Sequence, residues 1–130
     1  MILVDTSVWI EFFHDIDSQR TELLAAAVRV GTALVGDLIL VEVLQGLRTP
    51  AQVRIVAEAL SALQNVTLCG PDVAPEAAAN YRQLRRKGIT IRSTIDVIIA
   101  TWCIRRRVSL LHHDRDFDAI EERLGLLVHR

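Results

Sequence analysis

The sequence lacks any apolar run long enough to cross a bilayer. Its longest largely apolar stretch, residues 97–104, has eight residues and is followed by three arginines, whereas a membrane-spanning helix needs about 20. The chain begins Met-Ile-Leu-Val and reaches Asp5 without a basic region or a small-residue cleavage site, so we expect no signal peptide. These absences predict a cytoplasmic protein with no membrane partner.

Cysteine is also scarce. Cys69 and Cys103 are the only two, and they do not form a Cys-x-x-Cys pair. A disulfide framework or a cysteine zinc site needs more cysteines at closer spacing, so both are expected to be reduced residues of the core. Repeats, low-complexity segments and linkers are absent as well, and the length predicts a single domain over residues 1–130.

The net charge of -1 conceals an uneven distribution. Residues 1–80 carry a charge of -6, residues 81–107 carry +7 and residues 108–130 carry -2. An acidic pocket beside a basic rim suits a metal-dependent enzyme that acts on a polyanion. Solvated helix faces would give the same asymmetry, so the charges only support a function that other residues indicate.

Short β-like runs alternate with segments of helical periodicity. Strands are predicted at 2–4, 32–35, 66–68, 109–111 and 126–128, and helices at 8–13, 21–30, 36–47, 49–63, 73–87, 93–107 and 116–123. This alternation predicts an α/β protein with a parallel sheet and helices on both faces. In such sheets the functional crevice lies beyond the carboxyl ends of the strands.

Three aspartates stand near that predicted edge. Asp5 directly follows the first strand, Asp114 lies just past the strand at 109–111, and Asp96 is in the first turn of a helix. Each has an ordinary alternative role, because Asp5 is a good helix N-cap and Asp96 fits a capping box. Asp114 has acidic neighbours and fits a solvated turn equally well.

Glu42 is a sharper indication of a site. It lies within the segment 38–44, which is apolar on nearly every side, so we expect it to be buried. An unpaired buried carboxylate costs several kcal/mol, and the nearest cation along the helix is Arg48. A distant arginine, a set of hydrogen-bond donors or a bound cation must compensate Glu42, and a structural salt bridge is the ordinary alternative.

The four acids together suggest a metal site. If they meet at one edge of the sheet, like charges lie within a few ångströms of one another, which only a bound cation makes tolerable. A site made entirely of oxygen ligands suits Mg²⁺ or Mn²⁺ rather than zinc.

Four segments of the chain resemble, in order, the signature blocks of PIN-domain nucleases. They are residues 2–10 (ILVDTSVWI), 42–46 (EVLQG), 96–100 (DVIIA) and 110–117 (LLHHDRDF). More narrowly, the chain resembles the VapC toxins of bacterial toxin–antitoxin pairs. The resemblance implies a three-layer α/β/α sandwich around a mostly parallel sheet, RNA cleavage with a divalent metal, a VapB-type antitoxin partner and a homodimer.

The resemblance also assigns roles to individual residues. By position within the blocks it gives four catalytic acids and two supporting residues: Asp5, Glu42, Asp96 and Asp114, with Ser7 and Asp116. His112 departs from the pattern, because many relatives carry a small hydroxyl residue there.

The mechanism that we expect is hydrolysis of phosphodiester bonds in RNA. Asp5, Asp96 and Asp114 are the expected ligands of one or two Mg²⁺ ions, which activate water and stabilise the developing charge. Glu42 then positions the metal or accepts a proton from the water. Basic residues of the stretch 82–92, together with Arg115, are candidates for binding phosphates.

Two other functions fit parts of the sequence. A receiver-type phosphoacceptor domain has an acidic pocket at the same edge of its sheet, but it needs paired acids after the first strand and a lysine near the last strands. Here Thr6 follows Asp5, and the only lysine, Lys87, lies in a predicted helix. A catalytically silent PIN fold used for binding is the second alternative, and the presence of all four acids argues against it.

Overall fold

The computed structural model describes residues 1–130, with four strands and seven helices. Along the chain the elements are β1 Ile2–Val4, α1 Thr6–Phe13, α2 Gln19–Val30, β2 Ala33–Gly36, α3 Asp37–Gln45, α4 Pro50–Ser61, β3 Gln64–Val66, α5 Val73–Arg86, α6 Thr94–Arg106, β4 Ser109–Leu111 and α7 Asp116–Leu124. None of the helices combines the length and the apolar character that crossing a membrane requires.

The four strands form one parallel sheet in the order β3-β2-β1-β4. Strand β1 lies between β2 and β4, with Leu3 paired to Leu34 on one side and to Leu110 on the other. The backbone N–H of Asp5 donates to the carbonyl of Leu111 at 2.9 Å, which ties the ends of β1 and β4 together. The predicted three-layer α/β/α fold is confirmed, and the residues after β1 and β4 meet at one edge.

The central strands are apolar along their whole length because helices cover both faces of the sheet. Leu3, Val35 and Leu110 are fully buried, and they belong to a cluster of 28 buried apolar residues. Helix α6 contributes much of this core through residues 97–103. This close-packed core restrains the carboxyl ends of the strands and the side chains that project from them.

Capping residues set the starts of several helices. The Thr49 hydroxyl accepts from the backbone of Gln52 at 3.2 Å, and Pro50 occupies the first turn, as the sequence predicts. Helix α2 begins at Gln19, earlier than predicted, because Ser18 and Thr21 form a reciprocal capping box.

Two predicted strands differ from the structure. Strand β3 covers 64–66 rather than 66–68, because the backbone N–H of Leu68 donates to the Asp37 carboxylate at 3.0 Å instead of to a neighbouring strand. The predicted strand at 126–128 was wrong, since only Val128 forms an isolated bridge with Leu110.

Gly36, the last residue of β2, is packed too closely to carry a side chain. A Cβ atom added there would lie 2.7 Å from Leu68 Cγ, and Leu68 is fully buried. We expect Gly36→Ala to lower the free energy of unfolding by about 1–3 kcal/mol, because overpacking displaces a core residue. Urea unfolding measures the difference.

Gly46→Ala is the matched control. Its added Cβ would lie no closer than 3.6 Å to any atom, and its φ of -82° suits alanine, so we expect stability to change by less than about 1 kcal/mol. If the two variants have the same free energy of unfolding, Gly36 is not packed too closely against Leu68 to carry a side chain.

Candidate functional site

Asp5 serves both as a helix cap and as a member of an acidic group. It is the N-cap of α1, and its Oδ2 accepts from the backbone of Ser7 at 3.1 Å and from the Ser7 hydroxyl at 2.6 Å. Only 4 % of its surface is exposed. Burial raises the pKa of Asp5 despite these hydrogen bonds, and the nearby charge of Asp114 adds to the rise.

Asp96 lies in the first turn of α6 but takes no part in a capping box. The N-cap residue, Ser93, makes no side-chain cap hydrogen bond, so that alternative role was wrong. Burial, followed by the charges of Asp5 and Asp114, raises the pKa of Asp96 from 3.8 to about 7. The carboxyl of Asp96 is thus close to several other acids and forms no ion pair with an arginine or lysine.

The loop between β4 and α7 brings two more acids to Asp96. Oxygen atoms of Asp96, Asp114 and Asp116 all lie within 4.8 Å of one another. The loop is held locally, because Asp114 Oδ1 accepts from the backbone of Asp116 at 2.9 Å and His112 Nδ1 accepts from the backbone of Asp114 at 3.1 Å. The loop therefore forms a turn, which was the alternative role expected of Asp114. It also brings the carboxylates of Asp114 and Asp116 close to Asp96 of α6.

Glu42 completes the group from α3. It is only partly buried, so the expectation of a buried Glu42 was wrong; α3 packs Ile39 and Val43 inward and leaves Val41 56 % exposed. The Thr6 hydroxyl donates to Glu42 Oε1 at 2.7 Å, and no arginine or lysine pairs with it, which excludes the structural salt bridge. Burial, and then the charge of Asp5, raises the pKa of Glu42.

We call these five residues, Asp5, Glu42, Asp96, Asp114 and Asp116, the acidic cluster. The sequence suggested Asp5, Asp96 and Asp114 as metal ligands, whereas the tightest group of oxygens contains Asp116 in place of Asp5. Asp5 and Glu42 lie near enough for their charges to raise the pKa of Asp96. The one cation bonded to the cluster is Arg92, whose Nε lies 3.1 Å from Asp116 Oδ2.

The chemistry of the acidic cluster fits a hard divalent cation. Its donors are all carboxylate oxygens, which Mg²⁺ and Mn²⁺ prefer. Burial and then repulsion from the neighbouring acids raise the pKa of Asp96, and a bound cation would relieve that repulsion. Asp96, Asp114 and Asp116 have the spacing to hold one ion, with Asp5 and Glu42 beside them.

Two arginines lie at the site, whereas a third forms ion pairs elsewhere. Arg92 bonds to the acidic cluster and, with Arg115, lines the pocket next to Asp114. Arg105 instead pairs with Asp72 and Glu76 on the surface, at 3.5 Å and 3.1 Å. Of the predicted phosphate-binding stretch 82–92, Arg92 is therefore the residue placed at the site.

Sequence reasoning missed a second network that adjoins the cluster. Glu11 of α1 has 9 % of its surface exposed. It accepts from Arg20 Nη2 at 3.1 Å, and its Oε1 lies 2.6 Å from His113 Nδ1. The Ser7 hydroxyl, which donates to Asp5, also accepts from the backbone N–H of His113 at 2.9 Å. The available signal was a single acid within the otherwise apolar segment 8–13.

Comparison with known proteins gives a consistent result. Residues 2–123 match the family model described as PIN domain. The chain is 32 % identical over 125 residues to Ribonuclease VapC11 of Mycobacterium tuberculosis, covering 92 % of this chain and 91 % of that protein.

Solved structures share the fold at lower identity. VapBC2 from Rickettsia felis, bound to a DNA fragment from its promoter, superposes with a TM-score of 0.79 at 16 % identity, covering 99 % of this chain and 98 % of that one. VapBC-5 of Mycobacterium tuberculosis, from the VapBC family of toxin–antitoxin systems, gives a TM-score of 0.69 at 20 % identity, covering 98 % and 96 %.

The match to the PIN family model over most of the chain excludes the alternative of a receiver-type domain. The order of the four motifs, the parallel sheet and the carboxylates at its edge agree with that match. This chain belongs to the PIN-domain family and, within it, to the VapC ribonucleases.

Proposed function

We propose that this chain is a divalent-metal-dependent endoribonuclease and the toxin of a VapBC toxin–antitoxin pair. The observation that carries the proposal is the acidic cluster. Oxygen atoms of Asp96, Asp114 and Asp116 lie within 4.8 Å of one another beside one arginine, and the charges of Asp5 and Glu42 also act on Asp96. The relationship to Ribonuclease VapC11 supports RNA as the substrate.

Asp96, Asp114 and Asp116 are the proposed ligands of the metal, with Asp5 as a further ligand. Mg²⁺ is the proposed ion, with Mn²⁺ as a substitute, and when bound it supplies Lewis-acid stabilisation of the phosphoryl group and activates water. The Ser7 hydroxyl holds the Asp5 carboxylate, and the His112 ring holds the backbone of Asp114. These contacts fix both acids before the ion binds.

Glu42 is the proposed proton acceptor. Burial and the charge of Asp5 raise its pKa, which makes it a stronger base than an exposed glutamate. The hydrogen bond from Thr6 orients one carboxylate oxygen and leaves the other free. Arg92 and Arg115 are the proposed contacts to phosphate oxygens of the RNA.

A VapB-type antitoxin and a second copy of the chain are the proposed protein partners. The Rickettsia felis and Mycobacterium tuberculosis structures of this fold are VapBC assemblies. Helices α1 and α4 each carry an exposed apolar residue, Ile10 at 43 % and Ile55 at 64 % exposed. These helices are the proposed docking faces.

Asp5→Asn tests the catalytic assignment. Asparagine caps a helix as well as aspartate does, so the start of α1 is retained while a buried charge is removed. We expect RNA cleavage in Mg²⁺ to fall by at least about 100-fold, with an unchanged or higher melting temperature. Cleavage is measured on a labelled RNA, and stability by thermal unfolding.

Asp17→Asn is the control for this experiment, because Asp17 is exposed and lies outside the acidic cluster. It should cleave RNA like the wild type. A fully active Asp5→Asn variant would falsify the site assignment, and a wild-type chain that binds metal but cuts no RNA would favour the silent binding module.

Asp96→Asn tests the repulsion within the cluster through its pH dependence. The unfolded chain ionises Asp96 near pH 3.8, and the folded chain only near pH 7. The free energy of unfolding of the wild type therefore falls as pH rises between these values. The variant lacks this contribution, because asparagine does not ionise. We expect equal stability at pH 3.5 and a variant that is more stable by about 1–3 kcal/mol at pH 8.

Mg²⁺ provides the second half of that experiment. At pH 8 the ion should raise the melting temperature of the wild type and have a smaller effect on the variant, because binding to the folded state stabilises it. If the free energies of unfolding of the wild type and of Asp96→Asn change in parallel from pH 3.5 to 8, the pKa of Asp96 is not raised in the folded chain. The readout is urea unfolding across the pH range.

A further inference from the structure

Glu11 is a buried acid that, unlike Asp96, has its own set of hydrogen-bond donors. Arg20 donates to both of its carboxylate oxygens, with Nη2 3.1 Å from Oε1 and Nε 3.3 Å from Oε2. His113 Nδ1 lies 2.6 Å from the same Oε1. A carboxylate only accepts, so the ring donates this hydrogen bond whether it is neutral or protonated. These bonds hold the Glu11 side chain in one position.

One face of α1 binds His113 at two points. Ser7 and Glu11 are four residues apart in α1, so their side chains lie on the same face of the helix, one turn apart. The Ser7 hydroxyl accepts from the backbone N–H of His113 at 2.9 Å, and Glu11 accepts from its ring. The Ser7 hydroxyl also donates to Asp5 Oδ2 at 2.6 Å. His113 therefore joins the start of the loop that carries Asp114 to the helix that begins after Asp5.

The loop between β4 and α7 depends on His113 for its place in the fold. Its hydrogen bonds to other elements are the two that His113 makes with α1. The other bonds are local: His112 Nδ1 accepts from the backbone of Asp114, and Asp114 Oδ1 accepts from the backbone of Asp116. These local bonds shape the turn but do not fix its position relative to α1 and α6.

The position of this loop matters because its carboxylates lie close to another acid. Oxygen atoms of Asp114 and Asp116 lie within 4.8 Å of one of Asp96, and like charges at this range repel. Mg²⁺ accepts oxygen ligands only in a nearly octahedral arrangement at short distances. A loop that moved away from Asp96 to relieve the repulsion would lose that arrangement.

Building on the proposed metal-dependent function, we propose that Glu11 is a positioning residue for the metal site. It holds the ring of His113, and His113 holds the loop that carries Asp114 against α1. Arg20 fixes the Glu11 carboxylate from α2. The network thereby keeps the carboxylates of the loop near Asp96 before an ion binds.

The affinity of the full chain for Mg²⁺ tests this role from both sides of the contact. Glu11→Met keeps the length and helix propensity of the side chain but removes the carboxylate acceptor, and His113→Ala removes the donor. Each should raise the Kd for Mg²⁺ by roughly 10-fold in calorimetric titration, as loss of a residue that holds a metal ligand does. The double variant should lose no more than the larger single loss, because the two residues act through one contact. His113→Asn, which keeps an N–H donor on its δ atom, should retain most of the wild-type affinity.

Amide hydrogen exchange of the metal-free chain separates positioning from a general loss of stability. The backbone N–H of His113 should exchange roughly 10-fold faster in Glu11→Met, the effect of one weakened hydrogen bond. The amides of β1 should exchange as in the wild type. If Glu11→Met is too unstable to purify, His113→Ala and His113→Asn still test the contact, because 58 % of the His113 side chain is exposed.

Glu76→Gln is the matched control. It weakens another glutamate–arginine pair, in which Glu76 Oε2 lies 3.1 Å from Arg105 Nη1 at the surface between α5 and α6. It should change neither the Kd for Mg²⁺ nor the amide exchange of the loop.

The outcomes distinguish this inference from the function on which it rests. If Glu11→Met or His113→Ala binds Mg²⁺ as the wild type does, if their losses add in the double variant, or if His113→Asn loses as much as His113→Ala, the positioning role is overturned. The proposed function stands in each of these cases. If the wild type binds neither Mg²⁺ nor Mn²⁺ and cuts no RNA, the proposed function itself fails.

Discussion

Repulsion between carboxylates at one edge of the sheet is the constraint on which the site depends. Asp96 shows it most clearly, because burial and four neighbouring acids raise its pKa to about 7. Arg92 is the one cation bonded to this group, and its ion pair is with Asp116. A group of carboxylates that repel one another is suited to a ligand that carries the opposite charge.

The fold imposes this repulsion through its topology. Parallel pairing places the ends of β1 and β4 side by side, so Asp5 and the loop that carries Asp114 emerge together. Helix α6 adds Asp96 from its first turn, ahead of a largely apolar stretch, and α3, which directly follows β2, adds Glu42. Hydroxyl groups of Thr6 and Ser7 hold two of the acids in place without neutralising them. The apolar core supplies the stability that the site itself lacks.

Much of this arrangement is predictable from the sequence. Local patterns locate the strands, and in a parallel sheet the residues that follow the strands lie at the same edge. The runs 2–4 and 109–111 are apolar and short, and they mark the strands whose ends carry Asp5 and Asp114. The partial exposure of Glu42 was not predictable, since it depends on which face of α3 packs inward. The single acid in the apolar segment 8–13 marks Glu11 as unusual, but its partner His113 lies 102 positions away and was not predictable from local sequence. The segment 126–128 has strand composition but makes only one bridge.

Calorimetric titration of Mg²⁺ into the wild-type chain, at several values between pH 6 and 8, tests the central claim most directly. The acidic cluster predicts saturable binding whose affinity increases with pH, because the ion must displace the proton that burial and repulsion keep on Asp96. Absence of saturable binding throughout this range, or an affinity that does not change with pH, would contradict the account of the cluster as a site for a divalent cation.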